Sequence, residues 1–225
     1  MPTDGGPEDT RVLAANDGAA ERGVHHDAGV PRHPGSRFIK AAIAILGETG
    51  RTDFTVNEVV TRARASLRAF YQQFATKDEL LVALSGEVIA RSTHAWRAEV
   101  DDLDASAALR LLIDRVGAQP TTDTQHSINK ALSLHYENLA QTRPREFAML
   151  LAPLHQLVKD ILDRGVVEGA VSPNLDTQGA ASVVTQTIMG AARIHILSAE
   201  LTGTPVDNAV LHAFCMHGLA AHETN

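Results

Sequence analysis

The segment at residues 55–80, TVNEVVTRARASLRAFYQQFATKDEL, constrains the fold of this chain more than any other part of the sequence. Its apolar residues recur every three or four positions, as on the buried face of a helix, with short polar breaks between them. Each stretch follows a residue whose side-chain oxygen can accept a hydrogen bond from a free amide at a helix start, namely Thr55, Ser66 and Thr76. The segment therefore predicts two short helices joined by a tight turn, followed by the start of a third helix.

The start of the third helix carries a second signal, because Glu79 follows Thr76 by three residues. This is the spacing of a capping box, in which each side chain bonds the backbone amide of the other residue. In the second short helix, the expected buried side chains are Leu67, Phe70 and Phe74. Helices this short cannot bury enough surface alone, so we expect neighbouring helices around them. A helix-turn-helix places its second helix, here residues 66–74, in the major groove of DNA.

Residues 36–84 resemble the DNA-binding region of the TetR/AcrR family of bacterial transcription regulators. The residues that match the family's pattern without gaps are Thr55, Glu58, Arg62, Ala63, Ser66, Tyr71, Phe74, Thr76, Lys77, Glu79 and Leu80. Three positions depart from it: Arg64 stands where a turn glycine is usual, Arg68 replaces a small residue, and Ala75 replaces a common proline. A non-glycine residue with positive φ is strained by about 1 kcal/mol. We therefore expect either an altered turn or an Arg64 that is retained for its charge.

The remaining sequence indicates an all-α fold of about nine helices, since Ala and Leu dominate and long alternating β-branched runs are absent. We predict a disordered acidic tail at residues 1–34, a three-helix helix-turn-helix domain at residues 35–83, and a helical bundle at residues 84–225. The resemblance assigns the bundle to ligand binding and dimerisation. The other expected helices span residues 37–49 (capped by Ser36 and ended by Gly50), 77–99, 106–117, 123 or 124 to 141, 144 to 165 or 169, 176 or 177 to 201, and 205–221.

Positive charge is concentrated around the predicted helix-turn-helix. Residues 31–97 hold ten Lys and Arg against six acids, whereas residues 98–225 hold eight against fifteen and residues 1–30 hold two against six. A chain with a net charge of −7 is a poor bulk binder of nucleic acid. A basic segment confined to a DNA-reading motif supplies phosphate neutralisation, although a chance fluctuation of surface charge would give the same counts. With the motif, the distribution indicates double-stranded operator DNA as the partner.

We expect the DNA contacts on the outer face of the second short helix and at the helix starts around it. The predicted contact residues are Arg37, Thr55, Arg64, Ser66, Arg68, Ala69, Tyr71, Gln72 and Lys77. Arg68 is suited to a guanine edge and Gln72 to adenine, with a phosphate contact or an intramolecular ion pair as alternatives for Arg68. Tyr71 resembles the family's phosphate-contacting aromatic residue. Free amides near Thr55 and Lys77 favour phosphate, and a solvated side chain is the plainer interpretation of Lys77.

The last two predicted helices carry small and apolar residues at helical spacing. These are Ala180, Ala181, Val184, Ile188, Ala191, Ala192 and Ile196 in one helix and Val210, Phe214 and Leu219 in the other. Periodicity does not separate an intramolecular core from a subunit interface. The resemblance implies that both helices pair with their copies in a four-helix homodimer interface, and a two-fold dimer reads a palindromic operator.

The resemblance also implies a small-molecule effector pocket inside the bundle. The predicted lining residues are Leu132, His135, Tyr136, Met149, Leu150, Leu154, Ile188 and Met189, with His155, Arg193 or His195 as anchors for a carboxylate or carbonyl. Ordinary packing explains each of them as well. The apolar lining favours a lipid-like or aromatic effector over a sugar. An effector that prefers a conformation with misplaced recognition helices lowers DNA affinity, and the resemblance implies that the helix at residues 77–99 transmits this change.

No residue constellation indicates catalysis or a bound metal. The sequence contains no H-E-x-x-H or C-x-x-C spacing, no glycine-rich phosphate loop and no nucleophile elbow, so we predict no enzyme activity, no cofactor and no metal site. Cys215 is the single cysteine and cannot form an internal disulfide, which is typical of a reducing compartment. There is no run of 18 apolar residues and no signal peptide. We therefore predict a cytoplasmic protein without membrane contact.

Three functional classes remain at this stage. The first is a ligand-responsive regulator, most simply a repressor, that binds a palindromic operator as a homodimer and is released by a mainly apolar effector. The second has the same fold but answers to a protein partner or acts constitutively. The third is an all-helical enzyme whose helix-turn-helix is incidental, and the absence of paired catalytic residues disfavours it.

Overall fold

The computed structural model describes residues 35–197 and 206–220, without the side chains of His195 and Leu197. Within these residues the chain forms nine α-helices and no strand, which confirms the all-α prediction. The predicted disordered tail lies outside the described residues, as do residues 198–205. The helices are α1 (Ser36–Thr49), α2 (Val56–Arg62), α3 (Leu67–Tyr71), α4 (Lys77–Val100), α5 (Ala105–Val116), α6 (Asp123–Thr142), α7 (Pro144–Glu168), α8 (Thr177–Leu197) and α9 (Asn208–Leu219).

Three of the predicted helix starts form through the predicted hydroxyl groups. Thr55, Ser66 and Thr76 accept hydrogen bonds from the backbone amides three residues further on, at 3.1–3.2 Å. Glu58 accepts a bond from the Thr55 amide at 2.6 Å and so completes a capping box, which lowers the pKa of its carboxyl group. The box predicted at Thr76 is incomplete, because the Glu79 carboxylate accepts from the amide of Ala75 instead.

The first helix begins differently from the prediction. Ser36 is the first residue of α1 and caps nothing, because Gly35 occupies the N-cap position without a side-chain bond. The Gly35 carbonyl accepts hydrogen bonds from the amides of Phe38 and Ile39, so the helical pattern starts one residue earlier than expected. The predicted end is confirmed: Gly50 has φ 64° and its amide bonds the Leu46 carbonyl, a left-handed turn that glycine adopts without strain.

Two hydrophobic clusters organise the helices. The N-terminal core combines α1, α2, α3 and the first two turns of α4 with two residues of α6, Ala131 and Leu132. The bundle core is formed by the rest of α4 and by α5 to α9. Tyr136 on α6 packs against both clusters. Both α4 and α6 therefore connect the two cores, whereas the family resemblance implied a connecting role for α4 alone.

The contact between α1 and α6 is unusually close. A Cβ atom on Gly47 of α1 would lie 2.7 Å from the Cγ2 atom of Thr124 on α6, so only glycine fits without a shift. Ile128 and Ser127 of α6 lie beside Gly47 and Gly50, respectively. The helix-turn-helix region is thus held against the bundle by a helix that lies more than 70 residues further along the chain.

Candidate DNA interface and regulatory core

The turn between α2 and α3 contains the one non-glycine residue with positive φ in the described part of the chain. Arg64 has φ 49°, the left-handed conformation that glycine adopts at low cost. The amide of Ala65 donates to the Val60 carbonyl at 2.9 Å and closes the turn. The turn therefore keeps the geometry that a glycine would give, and a charged, exposed arginine occupies it at a strain of about 1 kcal/mol.

The predicted recognition helix is shorter than residues 66–74, since α3 ends at Tyr71 and a turn follows. Phe70 is fully buried, with its ring centroid 5.4 Å from that of Phe38 and 5.7 Å from that of Phe74. Leu67 was predicted to be buried but is 44% exposed. The three phenylalanines fill the contact between α3 and α1, and a helix of five residues has no second buried turn, so Leu67 stays at the surface.

Most of the predicted DNA contacts lie at the surface around α3. Arg37, Thr55, Arg64, Ser66, Arg68, Tyr71 and Gln72 are exposed, and Ala69 and Lys77 are half-buried. The guanidinium of Arg37 lies 4.8 Å from the Phe38 ring centroid, and the hydroxyls of Thr55 and Ser66 cap their helices. Within the described residues, neither Arg64 nor Arg68 forms a salt bridge, so the intramolecular pair considered for Arg68 is not formed there.

Lys77 has an intramolecular role that sequence reasoning missed. Its Nζ atom donates to the Thr52 carbonyl at 3.0 Å and lies 5.6 Å from the Phe54 ring centroid. The lysine thus holds the loop before α2 against the start of α4. Its remaining N–H groups still suit phosphate, but a substitution there changes the loop as well as the charge.

A second missed interaction joins α1 and α2. The Arg62 guanidinium donates to both carboxylate oxygens of Glu48, at 2.5 and 2.6 Å. This pairing lowers the pKa of Glu48, first through the hydrogen bonds themselves. The two residues are 14 positions apart on different helices, so no periodic signal in the sequence indicates that they meet.

The predicted pocket residues separate into inward-facing and outward-facing groups. Leu150, Leu154 and Ile188 are buried in the bundle core, and Tyr136 and Met189 are half-buried against it. The other five predicted residues lie elsewhere. Leu132 is in the N-terminal core, Met149 is 67% exposed, and His135 is half-buried with its Nε2 atom buried. The Nε2 atom of His155 lies 3.0 Å from the Ser182 hydroxyl, and Arg193 is exposed with a nitrogen 3.8 Å from Glu137. The side chain of His195 lies outside the described residues.

The most distinctive feature of the interior is a set of buried polar atoms without a hydrogen-bond partner. They include the hydroxyls of Ser85 and Thr93 on α4, the hydroxyl of Thr185 on α8, and Nε2 of His135 on α6; Oε2 of Glu87 and Nε of Arg164 are the others. Buried polar groups are normally bonded, and an unsatisfied one costs about 1–3 kcal/mol. The three hydroxyls were not among the predicted site residues. The sequence did contain a signal for two of them. Ser85, Ile89 and Thr93 are spaced four residues apart, so they lie on one apolar stripe of a helix.

Burial changes the acid–base properties of the neighbouring side chains. Desolvation lowers the pKa of His135, while Asp78 opposes this shift and Arg143 adds to it; the lowered pKa favours the neutral imidazole. Burial raises the pKa of the Tyr136 hydroxyl above its usual range, and the adjacent Ser85 side chain offsets part of that effect. Ser85 lies beside Tyr136 without a hydrogen bond of normal geometry.

An exposed apolar surface runs along α8 and α9. Val183, Val210 and Phe214 are 67%, 64% and 72% exposed, respectively. A groove of about 400 Å³ between the two helices is lined by Gln186, Thr187, Gly190, Ala191, Ile194, Val206, Val210, Leu211 and Phe214. Many residues that the sequence offered for a subunit interface instead pack within the chain, since Ala181, Val184, Ile188, Ala191, Ala192 and Leu219 are buried. The exposed face of α8 and α9 consists mainly of residues that lie next to these buried ones in the sequence.

Residues 38–84 match the family model described as bacterial regulatory proteins, tetR family. The matched residues include α2, the Arg64 turn and α3, the part of the fold that carries the exposed cationic side chains. Residues 38–84 therefore form a TetR-type DNA-binding domain. A search among curated proteins finds no match.

Several solved structures share the fold over most of the chain. The fatty acid degradation regulator FadR from Bacillus halodurans has a TM-score of 0.66 and 19% identity, over 81% of this chain and 98% of its own. FadR from Bacillus subtilis in complex with stearoyl-CoA has a TM-score of 0.61 and 17% identity, over 80% and 95%. RolR in complex with resorcinol has a TM-score of 0.60 and 16% identity, over 82% and 86%. The chain thus shares the fold of these structures, with a TetR-type helix-turn-helix region followed by a helical C-terminal part.

None of the described helices is long and apolar enough to span a membrane. No three His, Cys, Asp or Glu side chains in that part of the chain are grouped to hold a metal ion. Cys215 is buried in the bundle core, and burial raises the pKa of its thiol, which disfavours the reactive thiolate.

Proposed function

We propose that this protein is a repressor of the TetR family that binds palindromic operator DNA as a homodimer and is released by a small, mainly apolar effector. The observation that carries the proposal is the surface around α3. Arg64, Arg68, Tyr71 and Gln72 are exposed there, and the Phe38–Phe70–Phe74 cluster holds their backbone rigidly.

The DNA contacts divide into two chemical classes. Arg68 and Gln72 suit base edges in the major groove, since a guanidinium bonds guanine and an amide bonds adenine in a bidentate manner. Arg37, Arg64 and Tyr71 suit phosphates, which position the protein without reading sequence. Thr55 and Ser66 use their hydroxyls in the helix caps, so they contribute through the geometry of the caps and the free amides at the helix starts.

The exposed apolar face of α8 and α9 supports the homodimer. A surface with Val183, Val210 and Phe214 beside an apolar groove is typical of a buried subunit contact. Two copies related by a two-fold axis present the same patch to each other, and they present their α3 helices to two half-sites of a palindrome.

Two observations support an effector inside the bundle. The interior contains buried polar atoms that no protein group satisfies, next to apolar side chains such as Ile188 and Leu154. Structures of the same fold include complexes with stearoyl-CoA and with resorcinol. Because α4 and α6 both enter the N-terminal core, a ligand that displaces either helix changes the position of α1 and α3.

The proposal is tested by measuring binding to DNA fragments from around the protein's own gene at several salt concentrations. We expect tight binding with a steep salt dependence, because each neutralised phosphate contributes about one unit to the slope. The double variant Arg68→Ala, Tyr71→Ala should lose specific binding. Lys159→Ala is the matched control, since it removes a cation on α7, which lies in the bundle. Equal binding by the wild type and the double variant would refute the assignment of α3 as the recognition helix.

A further inference from the structure

Two large hydrophobic side chains lie exposed on the surface of α3. Leu67 is 44% exposed and Tyr71 is 56% exposed. Among the described residues before α5, no other large hydrophobic side chain is exposed, because the rest pack into or against the two cores. Leu67 and Tyr71 are four residues apart, so their side chains lie on the same face of the helix. The exposed apolar surface of this region thus coincides with the helix that is proposed to read DNA.

The folding of α3 does not depend on a leucine at position 67. The Ser66 hydroxyl caps the helix by accepting from the Ala69 amide at 3.2 Å, and Phe70 is its fully buried anchor. Any side chain that suits a helix could therefore follow Ser66. A single exposed leucine is common on protein surfaces. This one, however, shares its helix face with an exposed aromatic ring, and a partner outside the chain would use both.

The charge around Leu67 favours nucleic acid as that partner. Arg64 and Arg68 are exposed on either side of Leu67 in the sequence, and neither forms a salt bridge within the described residues. Exposed cations of this kind neutralise phosphates, which supply much of the affinity for DNA. An apolar side chain between two such cations is complementary to a partner that combines negative charge with apolar groups. The major groove of DNA has both.

The base edges of the major groove offer one apolar group. Guanine, cytosine and adenine present hydrogen-bond donors and acceptors there, whereas thymine also presents its 5-methyl group. A leucine side chain cannot bond a donor or an acceptor, and burying such a group against it would leave that group unsatisfied. In a helix-turn-helix, the first residues of the second helix contact the base edges. Leu67 is the first residue of α3.

We propose that Leu67 recognises a thymine in each half-site of the operator by contact with its 5-methyl group. This inference rests on the proposed function and adds a specificity-determining residue to it. Arg68 follows Leu67 in the chain and is suited to guanine, so the thymine lies close to a guanine in the half-site. The Tyr71 ring is held edge-on against Phe70, with 5.4 Å between the ring centroids, and its hydroxyl remains available for a phosphate.

The experiment selects binding sites from a library of random DNA duplexes with the full-length wild type and with Leu67→Ala. We expect the wild type to select thymine at one position of each half-site where Leu67→Ala accepts any base. In the selected duplex, deoxyuridine then replaces that thymine, which removes the 5-methyl group and keeps every hydrogen-bonding group. The replacement should weaken wild-type binding by about 4-fold for each half-site, the worth of one buried methyl group, and leave Leu67→Ala unchanged.

Two further variants serve as controls. Leu134→Ala removes a leucine of similar exposure, 48%, from α6, outside the helix-turn-helix, and should respond to deoxyuridine as the wild type does. Leu67→Met keeps an apolar side chain and should retain the preference for thymine. Circular dichroism verifies that all variants fold, and fluorescence anisotropy at one fixed salt concentration gives the dissociation constants.

Three results would overturn the inference. They are selection of the same bases by the wild type and Leu67→Ala, an equal response of both proteins to deoxyuridine, and equal weakening of Leu67→Ala on every sequence. The second would assign the methyl contact to another side chain, such as Ala69, and the third would make Leu67 a non-specific contact. With any of these results, a wild type that still selects a palindrome remains a DNA-binding regulator. If the wild type enriches no sequence, the proposed function fails and this inference fails with it.

Discussion

The helix-turn-helix region and the helical bundle differ in how the hydrogen bonds of their polar side chains are satisfied. At the starts of α2, α3 and α4, the hydroxyls of Thr55, Ser66 and Thr76 are each satisfied by an amide three residues away. In the bundle, Thr93 and Thr185 are buried without any partner. The first arrangement makes a rigid surface from local bonds. The second leaves unused hydrogen-bonding capacity in the interior, which is what a binding site for another molecule requires.

The largest expected effects come from removing one core side chain in each region. Phe70→Ala should lower the free energy of unfolding by about 3–5 kcal/mol and abolish specific DNA binding, since Phe70 is the buried anchor of α3. Leu154→Ala in the bundle should cost about 2–5 kcal/mol but leave the DNA affinity of the folded fraction unchanged. Urea unfolding and fluorescence anisotropy with labelled DNA measure both quantities. Equal loss of DNA affinity in the two variants would remove the distinction between the regions.

The next effect concerns the outer face of the bundle. Phe214→Glu should shift the protein towards monomers, because a charge replaces an aromatic side chain in the proposed interface, and such positions contribute at least about 2 kcal/mol. Val167→Glu is the control, since Val167 at the end of α7 is even more exposed. Analytical ultracentrifugation over a range of concentrations gives the dissociation constant. A dimer that Phe214→Glu leaves intact would place the interface elsewhere.

The same substitution should have opposite signs in the two regions. Ser66→Ala should destabilise the protein by about 1 kcal/mol, because it removes the cap of α3. Ser85→Ala should leave the free energy of unfolding unchanged or raise it by up to about 1 kcal/mol, because the deleted hydroxyl is buried and unpaired. Chemical denaturation without added ligand tests the pair. A clear loss of stability in Ser85→Ala would show that this hydroxyl already has a partner.

A smaller effect is expected at the turn before α3. Arg64→Gly should raise the free energy of unfolding by about 1 kcal/mol by relieving the positive φ. It should also reduce the salt dependence of DNA binding by about one unit, if Arg64 contacts a phosphate. Arg64→Lys keeps both the strain and the charge, so it should resemble the wild type. An unchanged salt slope in Arg64→Gly would mean that the arginine does not contact the DNA backbone.

The smallest effect is a dependence of stability on pH. Burial lowers the pKa of His135 below its ordinary value of 6.5, so the folded protein binds this proton less readily than the unfolded chain. Stability is therefore complete above pH 6.5 and decreases as the pH falls through 6.5 towards the lower, folded-state pKa. His135→Gln should flatten this part of the curve of thermal stability against pH. A wild-type curve equally flat below pH 6.5 would contradict the shift.

Local signals predicted much of the fold. Most of the expected helix bounds agree with the observed ones within one or two residues, because caps and apolar stripes act over a few positions. The wrong predictions concern residues that fit the local pattern but whose burial or capping is decided by the residues around them. Leu67 matches the buried stripe of α3 but lies beyond its contact with α1, and Ser36 has the right chemistry for a cap while Gly35 already provides the start.

The residues of the candidate site also divide into those that local spacing predicts and those that depend on tertiary packing. Exposure of Arg68, Tyr71 and Gln72 follows from the stripe that buries Phe70, so these residues could be proposed as DNA contacts from their spacing together with the family resemblance. The effector residues could not, because a helix packed on several sides buries more than one face. Leu132 therefore belongs to the N-terminal core and Met149 to the surface, although both fit an apolar pattern.

The sequence by itself determined the helix-turn-helix, since its caps, its turn and its aromatic anchor depend on residues within about 20 positions of one another. Only the tertiary structure decided that α6 completes the N-terminal core, that Gly47 meets Thr124, and which faces of α8 and α9 remain open. These features depend on how far and at what angle whole helices approach each other. The free energy of such contacts is spread over many distant side chains, so no short motif records it.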